Sequence, residues 1–187
     1  MLIVVFLPFI LLISFVLILF SKANPIYYQY RVGRNGEHFR LYKFRTMNSN
    51  PDILTNYFNK NPDQKKYFEE NQKLLHDPRI TKVGFFLREF SIDELPQLFN
   101  ILKGDMSFIG PRPIVKEEIS KYGKYFEKYK QVKPGLSGLW QVSGRNDTTY
   151  NQRIKHDIFY IENQSLLLDI KIFFKTFLVV FSRKGAY

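Results

Sequence analysis

The chain has 187 residues, a length that suits one domain, and 45% of them are hydrophobic, enough for a core. Its 28 Lys and Arg against 17 Asp and Glu leave a formal net charge of +11, which points to nucleic acid, an anionic membrane surface or phosphorylated substrates as partners. The absence of cysteine excludes disulfides, thiol nucleophiles and thiolate metal sites. His38, His76 and His156 lie too far apart for zinc spacing, so any metal here is a hard, oxygen-bound one. An aromatic content of 17% leans toward the membrane interface.

Residues 1–20 are almost wholly apolar. At about 1.5 Å per residue they would just cross a hydrocarbon core about 30 Å thick. Pro8 inside the run removes a backbone hydrogen bond and predicts a kink, so the helix either spans or bends and leaves on the face it entered. Neither a basic lead-in nor a small-residue cleavage pattern accompanies it, which argues against a signal peptide. The basic remainder belongs in the cytoplasm by the positive-inside rule, and the sequons at Asn146 and Asn163 are then chance matches. The division expected is a membrane helix over 1–22 and a cytoplasmic domain over 23–187.

Residues 26–32 and 37–44 read as strands joined at Asn35-Gly36, a strong hairpin signal. The second strand alternates aromatic or aliphatic residues with basic ones, so a basic face carrying Lys43 and Arg45 is expected to reach lipid phosphates. Residues 48–76 are polar, with one or two exposed helical turns broken by Pro51 and Pro62. Residues 83–88 form a short amphipathic helix that delivers Arg88 toward the next segment.

That segment, Ser91-Ile92-Asp93-Glu94-Leu95-Pro96-Gln97, has the capping-box spacing of Ser91 and Glu94, and it predicts a helix start that places Asp93 and Glu94 in the first turn. Unpaired N–H groups there favour carboxylates and an incoming phosphate, although capping alone also explains the pattern. Leu95, Leu98, Phe99 and Leu102 carry the helix to its stop at Gly104. Pro111 and Pro113 hold Arg112 in a stiff extended segment suited to phosphate or to stacking on a base, or to a plain surface turn.

Residues 114–130 read as helical. The glycines of the loop over 133–146 imply close backbone approach, which either brings Arg145 onto a phosphate or only shapes turns, and Trp140 is expected to pack. A helix over 151–160 puts Arg153 and Asp157 at ion-pair spacing. Ser165 caps a last helix with Leu166, Leu167, Ile170, Phe173, Phe174, Phe177, Leu178, Val180 and Phe181 on one side and Asp169, Lys171, Lys175 and Thr176 on the other. Its apolar side either packs on the core or lies in the membrane interface, and the N-terminal apolar run favours the interface.

Taken together, Arg31 to Gly36, Tyr42 to Met47, Asp93 to Leu98, Lys103 to Pro113 and Lys133 to Asn146 resemble, in order and spacing, the bacterial sugar transferases, or monotopic phosphoglycosyl transferases. The resemblance implies an α+β fold: a re-entrant membrane helix, a compact helix-rich cytoplasmic domain with a small β-hairpin, and interfacial amphipathic helices at the bacterial inner membrane. It implies transfer of a sugar 1-phosphate from a UDP-sugar to undecaprenyl phosphate, with Asp93 as nucleophile, an aspartyl phosphosugar intermediate and release of UMP. Magnesium is held by Glu94, a need the repulsion between adjacent carboxylates also creates. Arg88, Pro111, Arg112, Pro113, Arg145, Lys43 and Arg45 are the substrate-binding residues it suggests. A hexose such as galactose or glucose is the sugar expected, for an exopolysaccharide, capsule or lipopolysaccharide; homo-oligomerisation is left open.

Leu7 stands before Pro8 where the family usually has Ser, and the charged lead-in usual before the helix is missing, so a truncated or late-assigned start is expected. A non-catalytic scaffold binding nucleotide sugar or acidic lipid is the alternative. A nucleic-acid module would explain the charge but not the apolar run, so no nucleic acid is expected.

Overall fold

Asn35 and Gly36 both take positive φ, 59° and 77°, and reverse the chain between two strands, β1 (Ile26–Val32) and β2 (His38–Phe44). The strands are antiparallel, in register from Ile26↔Phe44 to Val32↔His38. The computed structural model describes residues 2–21, 24–71, 74, 76–144 and 148–182. On the outer side of the hairpin, the Arg40 guanidinium lies 5.0 Å from the Tyr28 ring centroid and 5.8 Å from that of Tyr30. Lys43 points the other way, because side chains alternate along a strand. Arg40 therefore lies off the face that carries Lys43.

Ahead of the hairpin, α1 (Leu2–Ser21) runs unbroken through Pro8. Ile10 and Leu17, two turns apart, bury against Phe44 and Leu87, with Ile92 and Leu95 alongside. Ser14, between them, donates its hydroxyl to the Ile10 carbonyl at 2.7 Å. Phe9, Leu11, Leu12, Phe15 and Leu19 stay exposed. Side chains of α1 are described from Leu7 to Leu19, and among the described residues no helix is long and apolar enough to cross a membrane.

The polar stretch after β2 forms two full helices, α2 (Asp52–Lys60) and α3 (Pro62–Asn71), rather than isolated turns. Each has an aspartate in its first turn and Pro62 takes the first position of α3, both favourable at a helix start. The Phe58 and Phe68 rings meet at 5.5 Å. Next, α4 (Lys82–Glu89) is capped by the Thr81 side chain, which accepts the Gly84 N–H at 2.9 Å. Gly84 packs onto the backbone of Thr46, where a Cβ would fall on the Thr46 carbonyl.

Here a prediction fails. Ser91 is left-handed, with φ 55° and ψ 22°, and its side chain makes no capping bond; residues 92–94 form a single 3-10 turn. The α-helix starts later, as α5 (Gln97–Lys103), behind Pro96, and ends as expected at left-handed Gly104. An N-cap needs extended dihedrals to aim its oxygen at the next amides. The tight reversal after α4 instead turns Ile92 and Leu95 toward α1.

Two short strands, β3 (Ser107–Ile109) and β4 (Gly135–Ser137), pair in parallel. Gly135 is needed at their crossing, since a Cβ would strike the Gly110 backbone. The helix predicted over 114–130 is broken into α6 (Ile119–Tyr122) and α7 (Phe126–Tyr129) at Gly123, whose φ is 51°. Beneath lies a second core of Val32, Ile114, Tyr122, Tyr129, Ile154 and Ile158, the last two from α8 (Tyr150–Glu162).

The last helix, α9 (Leu166–Ser182), is capped by Ser165, whose hydroxyl accepts the Leu168 N–H at 3.3 Å. Asp169, Ile172 and Thr176 face the domain, while Lys171 and Lys175 are exposed. Ile172 is buried, Asp169 accepts the Tyr160 hydroxyl at 2.8 Å, and the Thr176 and Ser137 hydroxyls lie 2.6 Å apart. Leu166, Leu167, Phe174, Leu178 and Phe181 are between 63% and 77% exposed. The apolar side therefore does not pack on the core.

Candidate functional site

The hairpin and the α4–α5 reversal bring one lysine to two carboxylates. Asp93 is 7% exposed. Lys43 reaches across from β2 with Nζ 2.6 Å from Glu94 Oε1 and 3.8 Å from Asp93 Oδ2. Burial pushes the Asp93 carboxyl up to about 6; Lys43 and Arg88 pull it back, and Glu94 adds to the push. Arg88, in the last turn of α4, donates Nε–H to the Thr46 hydroxyl at 2.9 Å.

These groups line a cavity of about 1010 Å³. One part of its wall is charged, with Lys43, Arg45, Arg88, Asp93, Glu94 and Arg112; another is apolar, with Leu136, Trp140 and, from α9, Phe173, Phe177, Val179 and Val180. Pro113 also lines it, whereas Pro111 is fully buried behind the wall, its carbonyl accepting the Gly135 N–H at 2.9 Å. Arg45 is engaged structurally: Nε donates to the Asn24 carbonyl and Nη1 to the Ser49 hydroxyl, both at 2.7 Å. Arg145 lies outside the described residues, as does the Asn146 sequon.

Arg112 lies in the wall with Cζ 5.2 Å from the Trp140 ring centroid, and Arg153 lies 4.8 Å from the same ring. Trp140 packs, as predicted, and is also the surface on which Arg112 rests. The predicted Arg153–Asp157 pair does not form. Asp157 Oδ2 instead accepts the Tyr122 hydroxyl at 2.7 Å and the Arg112 N–H at 3.4 Å.

Sequence reasoning missed Thr46, Asp157 and the share of α9 in the cavity. Thr46 and Asp157 meet their partners across 42 and 35 residues, where no local spacing rule applies. The α9 residues carry a signal, its amphipathic pattern, but that pattern offers the core or the membrane interface and not a cavity wall.

Among the described residues no group of three or more metal-ligating side chains gathers. The Asp93–Glu94 pair still offers hard oxygen donors, with Glu94 about 29% exposed beside the cavity. That donor set fits magnesium, which uses one or two carboxylates and takes its remaining ligands from water and substrate phosphates.

The arrangement suits a ligand with a phosphate-bearing end and an apolar end. The chain belongs to the bacterial sugar transferase family, whose model matches residues 1–183. It is 51% identical over 163 residues to an undecaprenyl-phosphate galactose phosphotransferase of Salmonella typhimurium, covering 87% of this chain and 34% of that protein. It is 47% identical over 186 residues to an uncharacterized sugar transferase of Haemophilus influenzae, covering 99% of this chain and 39% of that one. Exopolysaccharide production protein ExoY of Sinorhizobium fredii is 46% identical over 173 residues, 91% of this chain and 76% of its own length. The chain thus spans between about a third and three quarters of these relatives.

Proposed function

We propose that the protein transfers a sugar 1-phosphate from a UDP-sugar, a hexose such as galactose or glucose, to undecaprenyl phosphate at the cytoplasmic face of the bacterial inner membrane, opening the synthesis of a surface polysaccharide. The observation that carries this reading is the single cavity in which a buried carboxylate and a cationic rim meet apolar side chains of α9. The name of the Salmonella relative supports a lipid phosphate acceptor and a hexose.

Asp93 Oδ attacks the sugar-linked phosphorus, the bond to the bridging oxygen breaks, and UMP leaves. An oxygen of the lipid phosphate then attacks the same phosphorus and releases the Asp93 carboxylate. Burial supports the first step, because a carboxylate stripped of water and raised toward 6 is a better nucleophile than a solvated one and is still ionised at neutral pH. Lys43, Arg88 and Arg112 place positive charge where the diphosphate must lie. Glu94 would hold magnesium, which supplies further neutralisation of the diphosphate and of the charge developing in transfer.

The test is the intact mass of detergent-purified protein after incubation with magnesium and UDP-hexoses without lipid acceptor, beside Asp93→Asn. A hexose-phosphate gain on the wild type alone supports the covalent mechanism. UMP release only when undecaprenyl phosphate is added, with no gain in mass, replaces it with direct transfer. The absence of both signals would overturn the enzymatic reading.

A further inference from the structure

Asp157, on α8, is 1% exposed and takes no part in the chemistry above. Its surroundings connect it to Arg112. Within Pro111-Arg112-Pro113 the prolines have no N–H, so Arg112 supplies the segment's one main-chain donor, and that donor points at Asp157 Oδ2. The carbonyls of the segment are engaged as well: Pro111 accepts the Gly135 N–H, Pro113 accepts from Arg31 Nη1 at 3.0 Å, and Arg112 shares the one proton of the Tyr129 hydroxyl, at 3.0 Å, with the Val32 carbonyl at 2.9 Å.

The guanidinium, by contrast, pairs with no carboxylate among the described residues. Arg112 Nε is buried without a hydrogen-bond partner, and the group rests on Trp140. Around Asp157 stand the Tyr122, Tyr129 and Tyr150 rings, Arg112, and Arg153 from its own helix, with Arg31 and Glu118 beyond. Burial pushes the Asp157 carboxyl up to about 7, against the pull of Tyr122, Arg112 and Arg153. A buried carboxylate with one oxygen unpartnered is a costly choice for a merely structural acceptor.

We propose that Asp157 is a positioning residue for Arg112: by holding the only N–H of the Pro-Arg-Pro segment from below, it fixes where the guanidinium stands in the cavity wall and so sets the affinity for the nucleotide end of the donor. This rests on the proposed function. Trp140, the single tryptophan, reports the site directly, so UDP-galactose binding is read from its fluorescence without turnover.

Asp157→Ala should weaken donor binding and raise KM about tenfold, the size of a lost bond to a charged acceptor, with kcat within about threefold of wild type. Asp157→Asn, uncharged and of the same shape, should restore most of the loss and bind about threefold more weakly than wild type. In an Arg112→Ala background both substitutions should add nothing further, since they act through Arg112. Unchanged KM with activity falling only as the folded fraction falls would overturn the proposal. Equal weakening by Asp157→Asn with and without Arg112, or none in either, would also overturn it; this comparison remains available if Asp157→Ala does not fold. If wild type binds no UDP-sugar, the functional reading fails and this proposal falls with it, whereas wild-type binding that Asp157→Asn leaves unchanged overturns this proposal alone.

Discussion

At the scale of residues, the proposed function depends on keeping a buried carboxylate, Asp93, ionised. Asp93 has its pKa raised from the usual 3.8 to about 6, first by burial, while Lys43 is the largest force pulling it down. The rate of adduct formation with a UDP-hexose should therefore fall below about pH 6, and Lys43→Gln should move that acid limb upward by about one unit. An unmoved limb in the Gln variant would remove Lys43 from the electrostatics of Asp93. The same shift bears on stability. Between about 4 and 6 the folded protein holds a proton that the unfolded chain has already lost, so this group's contribution falls as pH rises through that window. Asp93→Asn removes the cost. In chelator, it should be more stable than wild type at pH 8 by on the order of 2 kcal/mol and by little at pH 4.5, seen as a higher melting temperature at the higher pH only. The Lys43–Glu94 contact at 2.6 Å survives that change.

At the scale of elements, α4 shows how packing aims a side chain. Alanine is intrinsically the better helix former by about 1 kcal/mol, yet at position 84 its Cβ would meet the carbonyl, carbonyl carbon and Cα of Thr46. Gly84→Ala should destabilise the fold by about 2 kcal/mol and, by lifting α4 off Thr46, break the Arg88–Thr46 bond and lower turnover. Denaturant unfolding and steady-state rates check the two effects. A stabilised, fully active Ala variant would mean that α4 does not sit where the Thr46 contacts place it. The elements also divide by how far their cause lies along the chain. The β1–β2 hairpin was legible because Asn35 and Gly36 dictate the reversal locally, and the end of α5 because Gly104 does. Ser91 and Glu94 have equally local credentials, but Ile92 and Leu95 are drawn to Ile10, Leu17 and Leu87, and tertiary burial overrides the cap. The Arg153–Asp157 spacing misled in the same way, since Tyr122 and the Arg112 amide compete for the carboxylate. Asp93, Glu94 and Arg112 were found through their motif, whereas the pairing of Lys43 with Glu94 spans 51 residues and needed the fold.

At the scale of the whole molecule, α9 leaves most of its bulky apolar residues uncovered. Its polar positions Asp169 and Thr176 bond to the domain, and its bulky apolar positions face outward, as do most of those described on α1. Fully burying a Phe or Leu contributes about 2 kcal/mol each, so leaving such rows uncovered on a chain of net charge +11 is costly unless something apolar and anionic covers them. A bilayer of anionic lipid meets both conditions. It also explains why the cavity wall shares a helix with the exposed face: Phe173 and Phe177 line the cavity, while Phe174 and Leu178 are 64% and 70% exposed. On the proposed function, the acceptor's phosphate would reach Asp93 while its chain remains in the lipid. Phe174→Glu with Leu178→Glu should lower binding to phosphatidylglycerol vesicles at least tenfold, while adduct formation with a UDP-hexose in detergent is retained. Transfer to undecaprenyl phosphate presented in vesicles should fall in step with binding. Vesicle binding equal to wild type, with a halved mass in detergent, would instead assign the face to a second copy of the chain.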